Sequence, residues 1–236
     1  MTPAPAHHFR SPFKVAAGIA RGGTLTRALF HLALHGERIS GRVLDLGAKS
    51  PKAGYYHHLS ADPGTEVTYS DLVGDPERGI VPVDVEKTFP FPDGSFDTIL
   101  AFHLLEHVFD AHMVAAETHR VLRPGGRLLV ATPFLYEYHA DPDDFVRFTD
   151  SGLRRLLEGA GLRCLYLEAL GEGPLTACAT RVMYLATFGR LRHWAMAGAY
   201  LLTSPLDRLL ALRPRIGGRT VPVRFALEFV GAFAKP

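Results

Sequence analysis

Residues 101–109 read AFHLLEHVF, and within them His103, Glu106 and His107 spell H-x-x-E-H. Two imidazoles and a carboxylate at this spacing form a zinc-hydrolase pattern when one helix presents both histidines on the same face. Here FDTILAF (96–102) reads as a buried strand, and a helix is expected only from about Asp110. His103 then falls at the strand end, the two histidines do not share a helical face, and no second cluster nominates a distant third ligand. The expectation is therefore no metal. A second stretch, TPFLYEYHADPDDFVRFT (132–149), carries Tyr136, Tyr138 and His139 beyond another apolar run. An imidazole there suits a general base or a structural pin for its own loop, with Asp144 and Arg147 as a local salt link.

The other chemistry-bearing residues end short apolar runs. RVLDLG (42–47) carries Asp45 and stops at Gly47, EVTYSD (66–71) stops at Asp71, and IVPVD (80–84) stops at Asp84. Runs of this length read as buried strands whose last residues face a crevice. Asp110 is placed to cap a helix running to Leu122, RPGG (123–126) breaks it, and RLLVATP (127–133) is a fifth strand. Next, RFTDSGLRRLLEGAGL offers Thr149 or Asp150 as a cap, Leu153, Leu156 and Leu157 as an apolar stripe, and Gly159 and Gly161 as stops. LRCLYLEAL (162–170) and FALEFVGAFAKP (225–236) follow as strands. Strands alternating with helices through short connections imply an α/β fold with a doubly wound, mostly parallel seven-stranded sheet. Ligands in such sheets bind outside the carboxyl ends of the strands.

Two additions flank this core of residues 41–171. Residues 1–40 read as a helical lid segment, with Leu25, Leu29, Leu32 and Ala33 at helical spacing. Residues 172–220 form an apolar helical insertion before the last strand (221–236). Its longest uncharged run, Trp194 to Leu206, is well short of the roughly 20 residues a spanning helix needs. The insertion is expected to pack on the domain or on a second subunit. Arg190, Arg192, Arg208, Arg213, Arg215 and Arg219 keep open a segment that rests on a membrane. Hydrophobic residues are 47% and charged residues 21% of the chain, which excludes wholesale disorder, and a net charge of +2 creates no field that demands nucleic acid. Two cysteines, Cys164 and Cys178, cannot build a disulfide framework and read as buried thiols in a reducing compartment. MTPAPAHHFRSPFK, with His7 and His8, lacks the apolar core of a secretory signal, so the cytoplasm is the expected location.

Taken in order, VLDLGAKSPKAGYY, VTYSD, VDVEKTFPFPDGSFDTILAFHLLEHV and ETHRVLRPGGRLLVATP resemble the class I, Rossmann-like methyltransferases that depend on S-adenosyl-L-methionine, specifically the small-molecule group. The resemblance covers about residues 40–170 and is most specific from FPFPDGSFDTI to RVLRPGG. It implies S-adenosyl-L-methionine as cofactor. Gly47, with Ala48 and Lys49, would bring backbone close to it, and Asp45 would attract its ammonium. Asp71, beside Leu72, would accept from the ribose hydroxyls, and Asp84 with Val85 would read the adenine edge. Phe102 and His103 would lie on the sulfonium side. His139 is the first candidate base and His103 the second. Any one of these acids is equally a turn former. The glycine loop departs from the family's G-x-G-x-G: Gly47 is followed by AKSP and the next glycine is Gly54. Lys49 there either pairs with the cofactor carboxylate or marks an altered site. The implied reaction is methylation, at oxygen, of a small-molecule acceptor such as a specialised metabolite, a sugar or a lipid-linked compound. A fold kept for binding or scaffolding, without catalysis, is the alternative. A nucleic-acid methyltransferase ranks lowest, because no basic appended domain or N-P-P-[FY] motif is present.

Overall fold

The computed structural model describes residues 11–51, 53–211 and 225–236. The expectations for His7, His8, Arg213, Arg215 and Arg219 lie outside the described residues. The chain divides into two compact units. The first contains residues 34–168 and 229–236, and the second takes its described residues from 11–33, 169–211 and 225–228.

The first unit is organised by a seven-stranded sheet of β1 (Arg42–Leu46), β2 (Glu66–Asp71), β3 (Ile80–Pro82), β4 (Phe96–Phe102), β5 (Leu122–Pro133), β6 (Arg163–Leu170) and β7 (Glu228–Ala234). Their order across the sheet is β3-β2-β1-β4-β5-β7-β6. β1 pairs parallel with β2 and β4, β2 with β3, and β4 with β5. Val43, Leu44 and Leu46 are all buried, as a central parallel strand covered on both faces requires. Because β1 is followed outward by β2 on one side and β4 on the other, the order reverses between β1 and β4, and a crevice opens at their carboxyl ends.

Helices α3 (Ala111–Val121) and α4 (Asp150–Gly159) belong to the same unit. Asp110 caps α3 by accepting from the Met113 amide at 3.1 Å, and Thr149 Oγ1 caps α4 by accepting from Gly152 at 3.1 Å. Leu153, Leu156 and Leu157 are the buried face of α4.

Two element boundaries differ from the sequence expectation. β3 ends at Pro82 and not at Asp84, because Asp84 starts a turn: its carboxylate accepts from the Glu86 amide and its carbonyl from the Lys87 amide, both at 3.1 Å. RPGG does not separate helix from strand either. The helix stops at Val121 and β5 runs from Leu122 through the glycines, with Gly125 at φ +78°. Phe96 faces Leu122 while Thr98 faces Arg127, so the Pro-Gly-Gly stretch is an irregularity inside the strand that takes up extra residues, as a bulge does.

The second unit is helical. α1 (Pro12–Ala20) and α2 (Leu25–Leu34) are separated at Gly22 (φ +112°) and Gly23. α5 (Pro174–Ala186) and α6 (Gly189–Ala211) pack along one another, and α1 packs on α6. Asp207 of α6 accepts from the Leu175 and Thr176 amides at 3.2 and 2.7 Å and so caps α5 across the helix pair. Tyr200, fully buried, donates to Glu172 at 2.9 Å, and Arg208 donates to the same carboxylate at 2.8 Å. The buried-thiol expectation fails for Cys178, which is exposed, and Cys164 is half-buried. α5 buries Thr176, Ala177 and Thr180, and Cys178 falls off that face. Among the described residues no helix is long and apolar enough to cross a membrane.

Candidate active site

The carboxyl end of β1 supplies the most buried acid. Asp45 is 1% exposed, and its Oδ2 accepts from the hydroxyls of Tyr55 at 2.5 Å and Tyr56 at 2.6 Å. Burial pushes this carboxyl up to about 6, opposed by the two tyrosine hydroxyls. Both tyrosines come from one 3-10 turn, Gly54–His57, so the segment that departs from a glycine loop instead folds a pair of phenols over the acid. The Tyr55 ring also meets Phe102 edge-on at 5.2 Å. Sequence reasoning passed over this pair, although GYY follows the loop directly. Gly47 has φ +73°, and a Cβ there would stand 3.1 Å from Leu104 Cδ1, so the position favours glycine on both counts. The Ala48 amide donates to Ser70 at 2.8 Å, tying the loop to β2. Lys49 forms an ion pair with Asp141.

Neighbouring strand ends carry the other candidates. Asp71 closes β2 with Oδ1 accepting from the Leu72 amide at 2.7 Å, and Leu72 itself is exposed. Asp84 pairs with Lys87 at 2.9 Å, which helps hold its carboxyl below the usual range, and Val85 follows in the same turn. Phe102 ends β4 in the core. His103 follows at φ +52°, alone in that region among the described non-glycine residues, and its amide donates to Ala131 at 2.8 Å. Holding a non-glycine residue in that conformation costs about 1 to 2 kcal/mol.

A third group lies where β4 and β5 hand over to their loops. Glu106 sits on the 3-10 turn Leu105–His107, is fully buried, and has no hydrogen-bond partner among the described residues on either carboxylate oxygen. Burial pushes it up, opposed by the nearby imidazoles of His103, His107 and His139. His107 Nδ1 lies 2.6 Å from the Asp143 carbonyl, and its Nε2 lies 3.8 Å from Glu106 Oε1. The His139 ring stacks edge-on with His107 and with Tyr136, each at 5.0 Å. Its Nδ1 lies 3.1 Å from the Glu137 carbonyl, and its amide donates to Asp144 at 2.9 Å. Arg147 grips Asp144 with both terminal nitrogens and holds that carboxyl well below the usual range. The Phe145 amide donates to the Glu106 carbonyl at 2.8 Å and closes the 134–149 loop onto the H-x-x-E-H turn. The sequence set His139 apart from that turn, whereas the structure brings them together.

Large exposed apolar side chains in this unit all follow strand ends on the same edge. They are Leu72 and Val73 after β2, Phe109 after β4, and Phe134, Leu135, Tyr138 and Phe145 after β5.

Residues 51–130 match the Methyltransferase domain family. A probable S-adenosylmethionine-dependent methyltransferase of Mycolicibacterium smegmatis is 31% identical over 85 residues, 27% of this chain and 33% of that protein. A ubiquinone/menaquinone biosynthesis C-methyltransferase of Teredinibacter turnerae is 34% identical over 116 residues, 43% of this chain and 46% of that protein. The chain thus spans less than half the length of the first curated relatives it matches. Among solved structures, a putative methyltransferase from Haloferax volcanii in complex with the Trm112 activator has a TM-score of 0.53 at 18% identity, covering 95% of this chain and 97% of that one. A putative methyltransferase from Bacillus halodurans has a TM-score of 0.53 at 16% identity, covering 88% and 97%. The residues present fit the family's cofactor, S-adenosyl-L-methionine. Gly47 offers a close-approach turn that a Cβ would fill, Asp71 is half-buried at the next strand end, and Asp45 keeps an acidic group behind that turn. The matched residues 51–130 and the strand order of the sheet support a class I, Rossmann-like methyltransferase that depends on S-adenosylmethionine.

Proposed function

We propose that this chain transfers the methyl group of S-adenosyl-L-methionine to an oxygen of a small, hydrophobic acceptor. One observation carries the reading. Asp45, Gly47, Asp71 and His103 lie at or just beyond the ends of adjacent strands, Asp84 lies in the turn that follows β3, and the large exposed apolar side chains of the same unit follow strand ends on that edge. The cofactor, when bound, supplies an electrophilic sulfonium methyl. Asp71 accepts from the ribose hydroxyls, Asp45 with its two tyrosines holds negative charge for the ammonium, and the turn at Gly47 lets backbone come close. The apolar rim receives the acceptor and excludes water, and alignment of this kind supplies about 7 to 11 kcal/mol. His139 serves as base. A carbonyl only accepts, so Nδ1 at Glu137 carries the proton and Nε2 of the neutral ring keeps its lone pair. His103, held in a strained backbone at the end of β4, is the second candidate. Two relatives named for ubiquinone biosynthesis, one a C-methyltransferase and one an O-methyltransferase, support an apolar acceptor.

Calorimetric titration with S-adenosylmethionine and S-adenosylhomocysteine tests the cofactor half. Saturable binding is expected, weakened about 10- to 100-fold in Asp71→Ala, since a hydrogen bond to a charged acceptor contributes about 1.5 to 3 kcal/mol. A folded protein that binds neither ligand overturns the enzyme and leaves the non-catalytic alternative.

A further inference from the structure

We propose that Glu106, His107 and His139 form a binding site for one divalent first-row transition-metal ion. Each of the three offers a ligand atom, and these atoms lie within 4.8 Å of one another. The ligands of a tetrahedral ion bound at about 2.0 to 2.2 Å stand roughly 3.3 to 3.6 Å apart, so closure on the order of an ångström completes the set. The His107–Glu106 pair, at 3.8 Å, is a few tenths of an ångström beyond that range.

The stronger argument is the balance of donors and acceptors. His107 Nδ1 faces the Asp143 carbonyl and His139 Nδ1 faces the Glu137 carbonyl. Carbonyls accept only, so both Nδ1 atoms carry protons, and the neutral rings keep their lone pairs on Nε2. Glu106 adds two carboxylate oxygens, fully buried and without a donor. A buried carboxylate without a hydrogen-bond partner among the described residues is costly, and a cation held there removes that penalty. Backbone carbonyls on the far nitrogens are also the arrangement that orients metal-bound imidazoles. Arg147 is the nearby cation that would oppose an ion, and its guanidinium is occupied by both oxygens of Asp144.

Two imidazoles and one carboxylate suit Zn²⁺, Fe²⁺ or Mn²⁺ and disfavour the all-oxygen preference of Ca²⁺ and Mg²⁺. Three protein ligands leave a coordination position open. The expectation of no metal rested on His103 and His107 sharing no helix face. The third ligand is instead His139, 32 residues beyond His107 in the sequence and reached only because the 134–149 loop folds back. Should methyl transfer also hold, the open position would take an acceptor hydroxyl and lower its pKa, and His139 would act as ligand in place of base. That consequence rests on the proposed function, whereas binding of the ion does not.

The test uses full-length protein stripped with chelator and titrated with Zn²⁺ by calorimetry and with Co²⁺ by visible absorption. One ion per chain is expected, with ligand-field bands of a low-coordinate nitrogen and oxygen site and at least a tenfold loss of affinity in His139→Ala and in Glu106→Gln. His139 is half-exposed, so its variant decides the question even if Glu106→Gln fails to fold. No ion bound by the wild-type chain, or binding unchanged in His139→Ala and so attributable to other histidines such as His35 with His58, overturns the site. Titration of the same stripped protein with S-adenosylhomocysteine separates the two readings: cofactor without metal overturns only this one, and metal without cofactor only the other.

Discussion

The two units solve opposite packing problems. In the first, β1, β4 and β7 bury nearly every side chain, and among the described residues the large exposed apolar side chains lie in the loops that follow strand ends. In the second, α5, α6 and the turn between them expose Leu185, Phe188, Leu191, Trp194 and Leu202 at 66% or more, while Asp207, Ser204, Thr176 and Tyr200 are buried. Polar groups tie that helix pair together through the Asp207 cap and the Tyr200–Glu172–Arg208 cluster. Close-packed apolar surface therefore carries the stability of the sheet unit, and a few directional hydrogen bonds contribute a larger share in the helical unit.

The contrast is broken or sharpened by substitution. The largest effect is expected at Leu100, fully buried at the centre of β4 opposite Asp45 of β1 and Leu129 of β5. Leu100→Ala should cost about 2 to 5 kcal/mol in urea unfolding, because it removes transfer energy and leaves a cavity that parallel strands cannot close. A cost below about 1 kcal/mol would mean that the sheet is not the rigid part. Next is Asp207→Ala, which strips two amide acceptors from the start of α5 and should cost about 1 to 2 kcal/mol. Hydrogen exchange reads it locally: the Leu175 and Thr176 amides lose protection while β1 and β4 keep theirs. Equal loss in both units would show that they unfold together and that the comparison has no energetic content.

What the sequence made legible follows the same divide. Seven apolar runs bounded by glycine or acid located the strands, because a strand buried on both faces has no alternative pattern. Asp110 and Thr149 were legible as caps because each precedes an apolar stripe at helical spacing. The Pro-Gly-Gly stretch was not, since the same residues that stop a helix also shape an irregular strand, and only pairing with Phe96 and Thr98 distinguishes the two. Among the candidates, Asp45 and Asp71 were singled out by a one-dimensional signal, their place at strand ends, and lie there, whereas Asp84 lies in the turn beyond Pro82. Tyr55 and Tyr56 over Asp45, the Lys49–Asp141 pair, and His139 against Glu106 depend on how loops fold back, which periodicity does not encode. Cys178 was misread because an apolar neighbourhood in sequence says nothing about which helix face a residue occupies. The leading helices and the insertion were assigned as separate additions, whereas α1 and α6 pack within one unit.

The smallest effect is expected at Trp194 and is the most discriminating. A tryptophan is the largest apolar side chain available, and in a core its loss costs several kcal/mol. On α6 it is 66% exposed, so little of its surface leaves water when the chain folds. Trp194→Gln keeps a helix-compatible residue and removes only that exposed ring, so the unfolding free energy should move by no more than about 0.5 kcal/mol. The measurement is a urea midpoint at several protein concentrations. An unchanged midpoint confirms that this face of α6 contributes nothing to the fold of the single chain. A loss above about 1 kcal/mol at every concentration would show the ring packed in the folded chain, and the exposed apolar face would cease to distinguish the helical unit. A loss that appears only at high concentration would show instead that the ring is covered by a second copy, since only an association equilibrium makes stability depend on concentration.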